Sequence, residues 1–389
     1  MTEKTSVPAP RASEADARSA FAAALAREPG VHDPVVVAAL ARVPRHLLMP
    51  RLFAPLGSVR PVRRWRLVDF ADEPEQHLAV CYGMDQVVVQ LDCRPPGPLL
   101  AGSEHVGVPT GQSSGAGLLA LTLQDVRLGS GDRFLEIGAC TGYLSAVAAE
   151  LTGRQATGVE IDRELARDAA PRLAAISAGV RLVVRDGLRG LPEGPWDAIT
   201  ASFAVRRIPA AWLHHLAPGG RLRTTITTGA PGWHATALVH RDEAGTMSGR
   251  LASELWGHVP DRARGFIPLP AAPAESGRSR SAVLVPPAPA ERGFWVALAH
   301  VLPGGRRHWD APGFDDEVVL VATDGSRAAV ARDGTRAVEW GPRNLWREAE
   351  EIHARWTAAG RPVEYRLEFT DGVQRAVGGP GLSWEIPTT

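Results

Sequence analysis

The stretch Arg133-Phe134-Leu135-Glu136-Ile137-Gly138-Ala139-Cys140-Thr141-Gly142 constrains this chain more than any other. A short apolar run ends in an acid and breaks at once into a glycine-bearing turn. Tyr143 to Leu151 then reads as an alanine-rich helix. Strand, tight turn and helix form a cradle for a nucleotide-type cofactor, because glycine lets backbone approach a ligand and a helix start presents free N–H groups. The glycine spacing is not that of the dinucleotide fingerprint, and an acid precedes the first glycine. Three more apolar runs follow: Ala156 to Asp162, Arg181 to Gly187, and Trp196 to Phe203. Glu160 closes the first of these, where a carboxylate can accept both hydroxyl hydrogens of a ribose.

This ordered series resembles a class I S-adenosylmethionine-dependent methyltransferase. The resemblance implies an α/β fold, a Rossmann-like sheet with helices on both faces. It also implies S-adenosyl-L-methionine as cofactor, S-adenosyl-L-homocysteine as product, and no metal. The first loop would wrap the methionine moiety, through Glu136, Gly138, Cys140, Thr141, Gly142 and Tyr143. Glu160 and Ile161 would meet the ribose side, and Asp186 and Gly187 would lie near the adenine. Cys140 stands where the family often has glycine, so a less open loop is expected.

Two further stretches narrow the resemblance. Arg42-Val43-Pro44-Arg45-His46-Leu47-Leu48-Met49-Pro50 is similar to the N-terminal segment of protein-L-isoaspartate O-methyltransferases. On the residues alone it is a helix stop followed by a packed loop. Pro109 to Gly117 then leads into an apolar helix from Leu118 to Leu123, at the place of that family's Thr-x-Ser-x-Pro motif. By resemblance Ser114 is the active-site hydroxyl, with Ser113 beside it. On the residues alone, the two serines could equally cap the helix. Ala116 replaces the usual proline. Tyr82 and Asp85 resemble the family's tyrosine and aspartate ahead of that loop, though a core tyrosine and a surface turn fit them as well. Val205, Arg206 and Arg207 would line the substrate side, where arginines suit peptide carboxylates; a solvated charge pair is the plain alternative.

The rest of the chain reads as follows. Met1 to about Ser13 is a polar tail within an N-terminal segment, 1–30, that ends in a helix from Glu14 to Arg27. Asp33-Pro34 starts a second helix as cap and first residue. The catalytic domain is expected over 31–267, with an insertion at about 51–107 that holds a strand over Gln86–Leu91 and a Pro/Gly-rich flap from Cys93 to Gly107. Ala235–His240 and Gly249–Leu255 would close the sheet as an antiparallel pair. Residues 268–292 form a Pro/Ala-rich linker with one strand at Ser281–Val285. A C-terminal α+β appendage over 293–389 follows. It has hairpins at Asp324-Gly325 and Asp371-Gly372 and a helix over Pro342–Ala359.

Composition sets the remaining bounds. A chain of 389 residues with Lys+Arg 43 against Asp+Glu 43 carries no global field toward nucleic acid or anionic membrane. The expected partner is a peptide, and the expected location is cytoplasmic. Cys81, Cys93 and Cys140 show neither metal-site nor disulfide spacing. The resemblance is strongest to actinobacterial relatives associated with ribosomal-peptide biosynthesis (lanthipeptides, lasso peptides, graspetides). It implies methylation of an Asp or isoAsp carboxylate, the ester then closing to an aspartimide. Housekeeping repair of isoaspartyl protein is the first alternative, and a non-catalytic S-adenosylmethionine-binding scaffold the second.

Overall fold

The computed structural model describes residues 13–59, 62–227, 234–252, 277–302, 306–309 and 317–387. The expected tail, up to residue 12, and the expected linker, up to residue 276, lie outside them. The chain falls into two compact units, Met1–Gly187 and Leu188–Thr389. That boundary lies inside the span expected to form one catalytic domain.

In the first unit, α1 (Glu14–Leu25), α2 (Pro34–Arg42) and the single turn α3 (Arg45–Leu48) open the chain. Ser13 and Asp16 form a capping box on α1, and Asp33 Oδ1 accepts from the amides of Val35 and Val36 ahead of α2. Next come β1 (Arg51–Val59), β2 (Val62–Asp69), α4 (Pro74–Cys81), β3 (Val87–Leu91), β4 (Glu104–Val106) and β5 (Pro109–Ser113). These five strands form one antiparallel sheet in the order β4-β2-β1-β3-β5. Its apolar face gathers Phe53, Trp65, Leu67, Val88 and Leu91. The insertion is therefore a structured sheet, where the sequence showed one strand and a flap. Pro55 and Gly57 had hidden the β1–β2 hairpin: the register shifts between Pro55 and Ser58, so strict alternation is lost. Pro109–Ser113, expected as loop, is strand because it pairs with β3, Val87 opposite Ser113 and Val88 opposite Gln112.

Then α5 (Ala116–Val126) leads to β6 (Phe134–Ile137), α6 (Tyr143–Thr152), β7 (Ala156–Glu160), α7 (Arg163–Ala175) and β8 (Val180–Val184). The strands β6, β7 and β8 are parallel, in that order. This is the α/β repeat expected from the glycine turn. Helix α6 is buried nearly all round, which explains its alanines.

The second unit begins with β9 (Trp196–Val205), α8 (Ala210–His214) and β10 (Leu216–Thr227), its two strands parallel. The strands β11 (His234–Arg241) and β12 (Met247–Ala252) follow as the expected antiparallel pair. Next are β13 (Arg278–Arg280), α9 (Arg292–Val301), β14 (Arg306–Trp309), β15 (Glu317–Val321), β16 (Arg327–Ala331) and β17 (Ala337–Trp340). The chain ends with α10 (Leu345–Ala358), β18 (Glu364–Thr370), β19 (Val373–Gly379) and β20 (Leu382–Glu385). The strand expected at Ser281–Val285 is instead β13, just before it, pairing with β17. Both expected hairpins form, β15–β16 and β18–β19. The second does not stand apart. β18 pairs with β12, Gly249 opposite Leu367, so the C-terminal strands extend the sheet begun by β9 and β10.

Candidate active site

The glycine turn is held by backbone. The amides of Gly138 and Ala139 both donate to the Val159 carbonyl, at 2.8 and 3.0 Å, so the turn is fastened to β7. Gly142 has φ +73°, and a Cβ there would lie 2.7 Å from Leu173 Cδ1, so both conformation and space require glycine. Gly187 is as constrained: a Cβ would lie 2.2 Å from Ile137 Cγ2. Cys140 adopts φ +49°, a left-handed conformation that glycine would adopt without strain. Its thiol is held well above the usual range, first by burial and then by the neighbouring carboxylates of Glu160 and Glu136. It therefore stays protonated at neutral pH.

The two strand-end acids have different work. Glu136 is buried, and its Oε2 accepts from both the amide and the hydroxyl of Ser145, at 3.0 and 2.6 Å. It ties strand β6 to the first turn of α6. Glu160 faces the turn: Oε2 accepts from the Cys140 amide at 2.7 Å and Oε1 from the Asp162 amide at 2.9 Å. Each carboxylate oxygen can accept two hydrogens, so the backbone donors leave a lone pair for a ligand hydroxyl. Burial, opposed by those backbone donors, raises the Glu160 pKa above its ordinary 4.5.

The start of α6 has no side-chain cap, since Gly142 is the cap residue. Tyr143 contributes backbone there and not its ring. Its side chain is buried, with the hydroxyl on the Leu40 carbonyl and the Arg45 guanidinium 5.2 Å from the ring centre. Beyond Glu160, Ile161 is 37 % exposed, and Val184, opposite Glu160 in the β7–β8 register, is 47 % exposed. Two uncovered apolar side chains thus lie at the ends of neighbouring strands, with half-exposed Asp186 two residues beyond Val184. Val184 had no signal of its own in the sequence.

The serine pair is resolved by its neighbours. Gly115 is the cap residue of α5, with no side-chain cap bond, so neither serine caps that helix. Ser113 is buried, and its hydroxyl accepts from Arg45 Nη2 at 3.1 Å. The same nitrogen reaches the Ser114 carbonyl at 2.9 Å, while Nη1 donates to the Cys81 carbonyl at 3.0 Å. Arg45 is wholly buried, and it forms no ion pair among the described residues. It holds the serine strand from behind, a role the Val-Pro-Arg resemblance did not specify. The Ser114 hydroxyl, half-exposed, makes no hydrogen bond among the described residues.

Tyr82 and Asp85 are placed differently: the Met84 carbonyl accepts from the Ala116 amide at 3.0 Å, so the backbone at Asp85 lies beside Gly115, next to Ser114, whereas Tyr82 enters the core. Tyr82 is buried against Phe21, its hydroxyl 2.8 Å from His46 Nδ1, which is the core-tyrosine alternative. Asp85 lies exposed ahead of β3. A different polar chain reaches the cleft from the insertion. The Cys93 amide donates to Thr110 Oγ1 at 2.8 Å, and that hydroxyl to Gln90 Oε1 at 2.9 Å. Gln90 Nε2 donates to Asp162 Oδ2 at 2.9 Å, while Asp162 Oδ1 caps α7. The insertion sheet is thereby locked to the turn that carries Glu160. Sequence reading missed this, because Gln90 and Asp162 are 72 residues apart.

In the second unit, Val205 is buried at the end of β9, and Arg206 is exposed beyond it. Arg207 donates to the Gly372 carbonyl in the β18–β19 turn. Gln374 grips the next residue at both ends: its Nε2 donates to the Ile208 carbonyl at 2.7 Å and its Oε1 accepts from the Ile208 amide at 3.2 Å. The segment after β9 is thus anchored on the C-terminal hairpin.

Comparison with known proteins places the chain. The protein-L-isoaspartate(D-aspartate) O-methyltransferase family matches residues 105–253. A protein-L-isoaspartate O-methyltransferase of a Picosynechococcus species is 30% identical over 201 residues, covering 51% of this chain and 71% of that one. The chain belongs to the protein-L-isoaspartate O-methyltransferase family. A relative of that name from Methylorubrum populi is 43% identical over 116 residues, 30% of this chain and 53% of its own. Another, from Rhodopseudomonas palustris, is 31% identical over 195 residues, 50% and 62%. The match thus spans about half to three-fifths of these two relatives' length. A solved protein-L-isoaspartate O-methyltransferase superposes on 96% of this chain and 100% of its own at 19% identity, with a TM-score of 0.49. The family is one of enzymes, and its matched span includes the serine strand, the glycine turn and Glu160, but not the β1–β2 hairpin or the strands after β12.

Proposed function

We propose that this protein is an S-adenosylmethionine-dependent methyltransferase that esterifies the carboxylate of an Asp or isoAsp residue in a peptide. The observation that carries the reading is Glu160, buried at the end of β7 with a lone pair left over, beside an uncapped helix start. These groups suit a nucleoside joined to an amino acid: hydroxyl donors on Glu160, a flat apolar ring against Ile161 and Val184, and anionic or lone-pair atoms at the N terminus of α6. When bound, S-adenosylmethionine supplies a methyl group on a sulfonium centre. An acceptor carboxylate is already ionised at neutral pH, so no general base is required of the protein. Its task is positioning, which can supply most of the acceleration. Ser114, unbonded and half-exposed beside Arg45-braced Ser113, is the hydroxyl we assign to the acceptor carboxylate.

The finer reading is tailoring of a ribosomally synthesised, already modified peptide. A methyl ester on aspartate is a good electrophile. The next backbone amide nitrogen attacks its carbonyl carbon, methanol leaves, and an aspartimide ring closes. Support comes from the insertion sheet bonded to the Asp162 turn and from the C-terminal hairpin bonded to the segment after β9. A repair enzyme acts on isoaspartate in any exposed peptide and can be small. Repair of isoaspartyl protein is the second reading, and the relatives' names favour it. Mass spectrometry of a plain isoaspartyl peptide and of a modified precursor, each incubated with protein and S-adenosylmethionine, separates them. Tailoring predicts gain of one CH2 and then loss of methanol on the precursor alone. Turnover of the isoaspartyl peptide alone would assign repair, and turnover of neither would contradict both.

A further inference from the structure

A cavity of about 120 Å³ lies beside the glycine turn, within the first unit. Cys140 and Thr141 line one wall, and α7 lines another through Leu165, Asp168 and Arg172. Pro95, Pro96 and Gly97 of the flap line it as well, with Arg51. Its two cations are not equivalent. Arg51 pairs through Nε with Asp69 at 2.8 Å, and its terminal nitrogens donate to the carbonyls of Gly97 and Leu99. That guanidinium is paired with Asp69 and holds the flap through its terminal nitrogens.

Arg172 is differently placed. It is half-buried, yet it forms no ion pair among the described residues. Its one hydrogen bond there, from Nη1 to the Leu48 carbonyl, is 3.5 Å long, at the outer limit for such a bond. Asp168, one turn earlier on α7, gives its Oδ1 to Nε and Nη2 of Arg167, both at 3.3 Å. A guanidinium has five N–H donors in a planar fork that matches a carboxylate. Burial presses the Arg172 pKa down, opposed by the Asp168 carboxylate one turn away, which forms no ion pair with it.

We infer that Arg172, in the cavity beside Cys140 and Thr141, forms a carboxylate-binding subsite. The inference rests on the proposed function for the source of that carboxylate. It belongs either to the amino-acid end of the cofactor or to the acceptor peptide, and the chemistry at Arg172 is the same for both. Neither relies on Glu160, which faces the turn from the other strand end. Within the cavity the carboxylate takes a bidentate pair of N–H bonds from Arg172.

The test uses the full chain and Arg172→Gln, with Arg172→Lys as the variant that keeps the charge but loses the fork. Calorimetry compares S-adenosylhomocysteine with 5′-methylthioadenosine, which lacks the amino acid. If the cofactor supplies the carboxylate, Arg172→Gln weakens S-adenosylhomocysteine by about 10- to 100-fold and leaves methylthioadenosine unchanged, with Arg172→Lys between. If the peptide supplies it, both nucleosides bind as before. The KM for a carboxylate-bearing peptide then rises by a similar factor, with kcat little changed. Equal weakening of both nucleosides, or no change in any of these, overturns the subsite. Succinate is the probe that does not depend on the cofactor. It should raise the wild-type melting temperature more than that of Arg172→Gln, and equal shifts overturn the subsite even if S-adenosylhomocysteine does not bind at all.

Discussion

The glycine turn of the first unit and the C-terminal strands of the second both bury polar side chains, but they use them differently. Near β18, Gln374 is held at both ends by one residue, Ile208, through its amide and its carbonyl. Glu339 on β17 accepts from the Trp346 and Arg347 amides at the start of α10, and its other oxygen meets Arg280. Around the turn, Glu160 keeps a lone pair beyond its backbone donors, and the Ser114 hydroxyl and Arg172 keep donors. Polar groups held at both ends by protein fix architecture, whereas half-exposed or lone-pair-bearing groups around the turn can still meet a ligand.

The largest effect that could break this contrast is expected at Glu160. Glu160→Ala should weaken S-adenosylhomocysteine by about 100-fold, because hydrogen bonds to a charged group contribute about 1.5–3 kcal/mol each. Calorimetry that showed unchanged affinity would remove Glu160 from the site. The pH dependence has a definite sign. A carboxyl whose folded pKa is raised stabilises the fold at low pH, and that contribution is lost as pH rises through the raised value. Ligand hydroxyls need the ionised form, so affinity should weaken on acidification through a point above 4.5, and this dependence should vanish in Glu160→Ala.

The serine pair sharpens the contrast at the next level. Ser113→Ala removes an acceptor from the buried Arg45 and should lower stability by about 1–3 kcal/mol in urea unfolding. Ser114→Ala should leave stability unchanged and reduce turnover on a cognate peptide. Equal stability losses would make both serines structural. Gln374→Ala should then raise the peptide KM with little change in S-adenosylhomocysteine affinity, at a stability loss of about 1–2 kcal/mol. Parallel loss of both affinities would mean the hairpin merely supports the unit. The smallest effect is expected at Cys140. Cys140→Gly relieves a left-handed φ at an L-residue, about 1 kcal/mol, partly offset by the greater chain entropy of glycine. A large destabilisation would show that the thiol's packing outweighs its strain.

Much of the fold was legible because its signals are local. The four apolar runs became β6, β7, β8 and β9, and Asp33-Pro34 capped α2 as its chemistry requires. The two Asp-Gly hairpins formed for the same reason. What was not legible depends on distant pairing. β5 is strand only because β3 lies beside it, and β18 joins β12 more than a hundred residues away in sequence. The place of Glu160 at a strand end was readable in the sequence, while Arg45 was visible only as part of a motif. Its role appears when the helix stop brings it under Ser113. Tyr82 shows the reverse: a residue type suited to substrate contact, placed by packing against Phe21 and His46 in the core.

The most direct test of the central claim is titration of the full chain with S-adenosylhomocysteine by calorimetry, wild type beside Glu160→Ala. The expected result is saturable one-to-one binding by the wild type and loss of most of that affinity in the variant, with the variant still folded. No binding by a folded wild-type protein would contradict the claim that the glycine turn and Glu160 hold this cofactor.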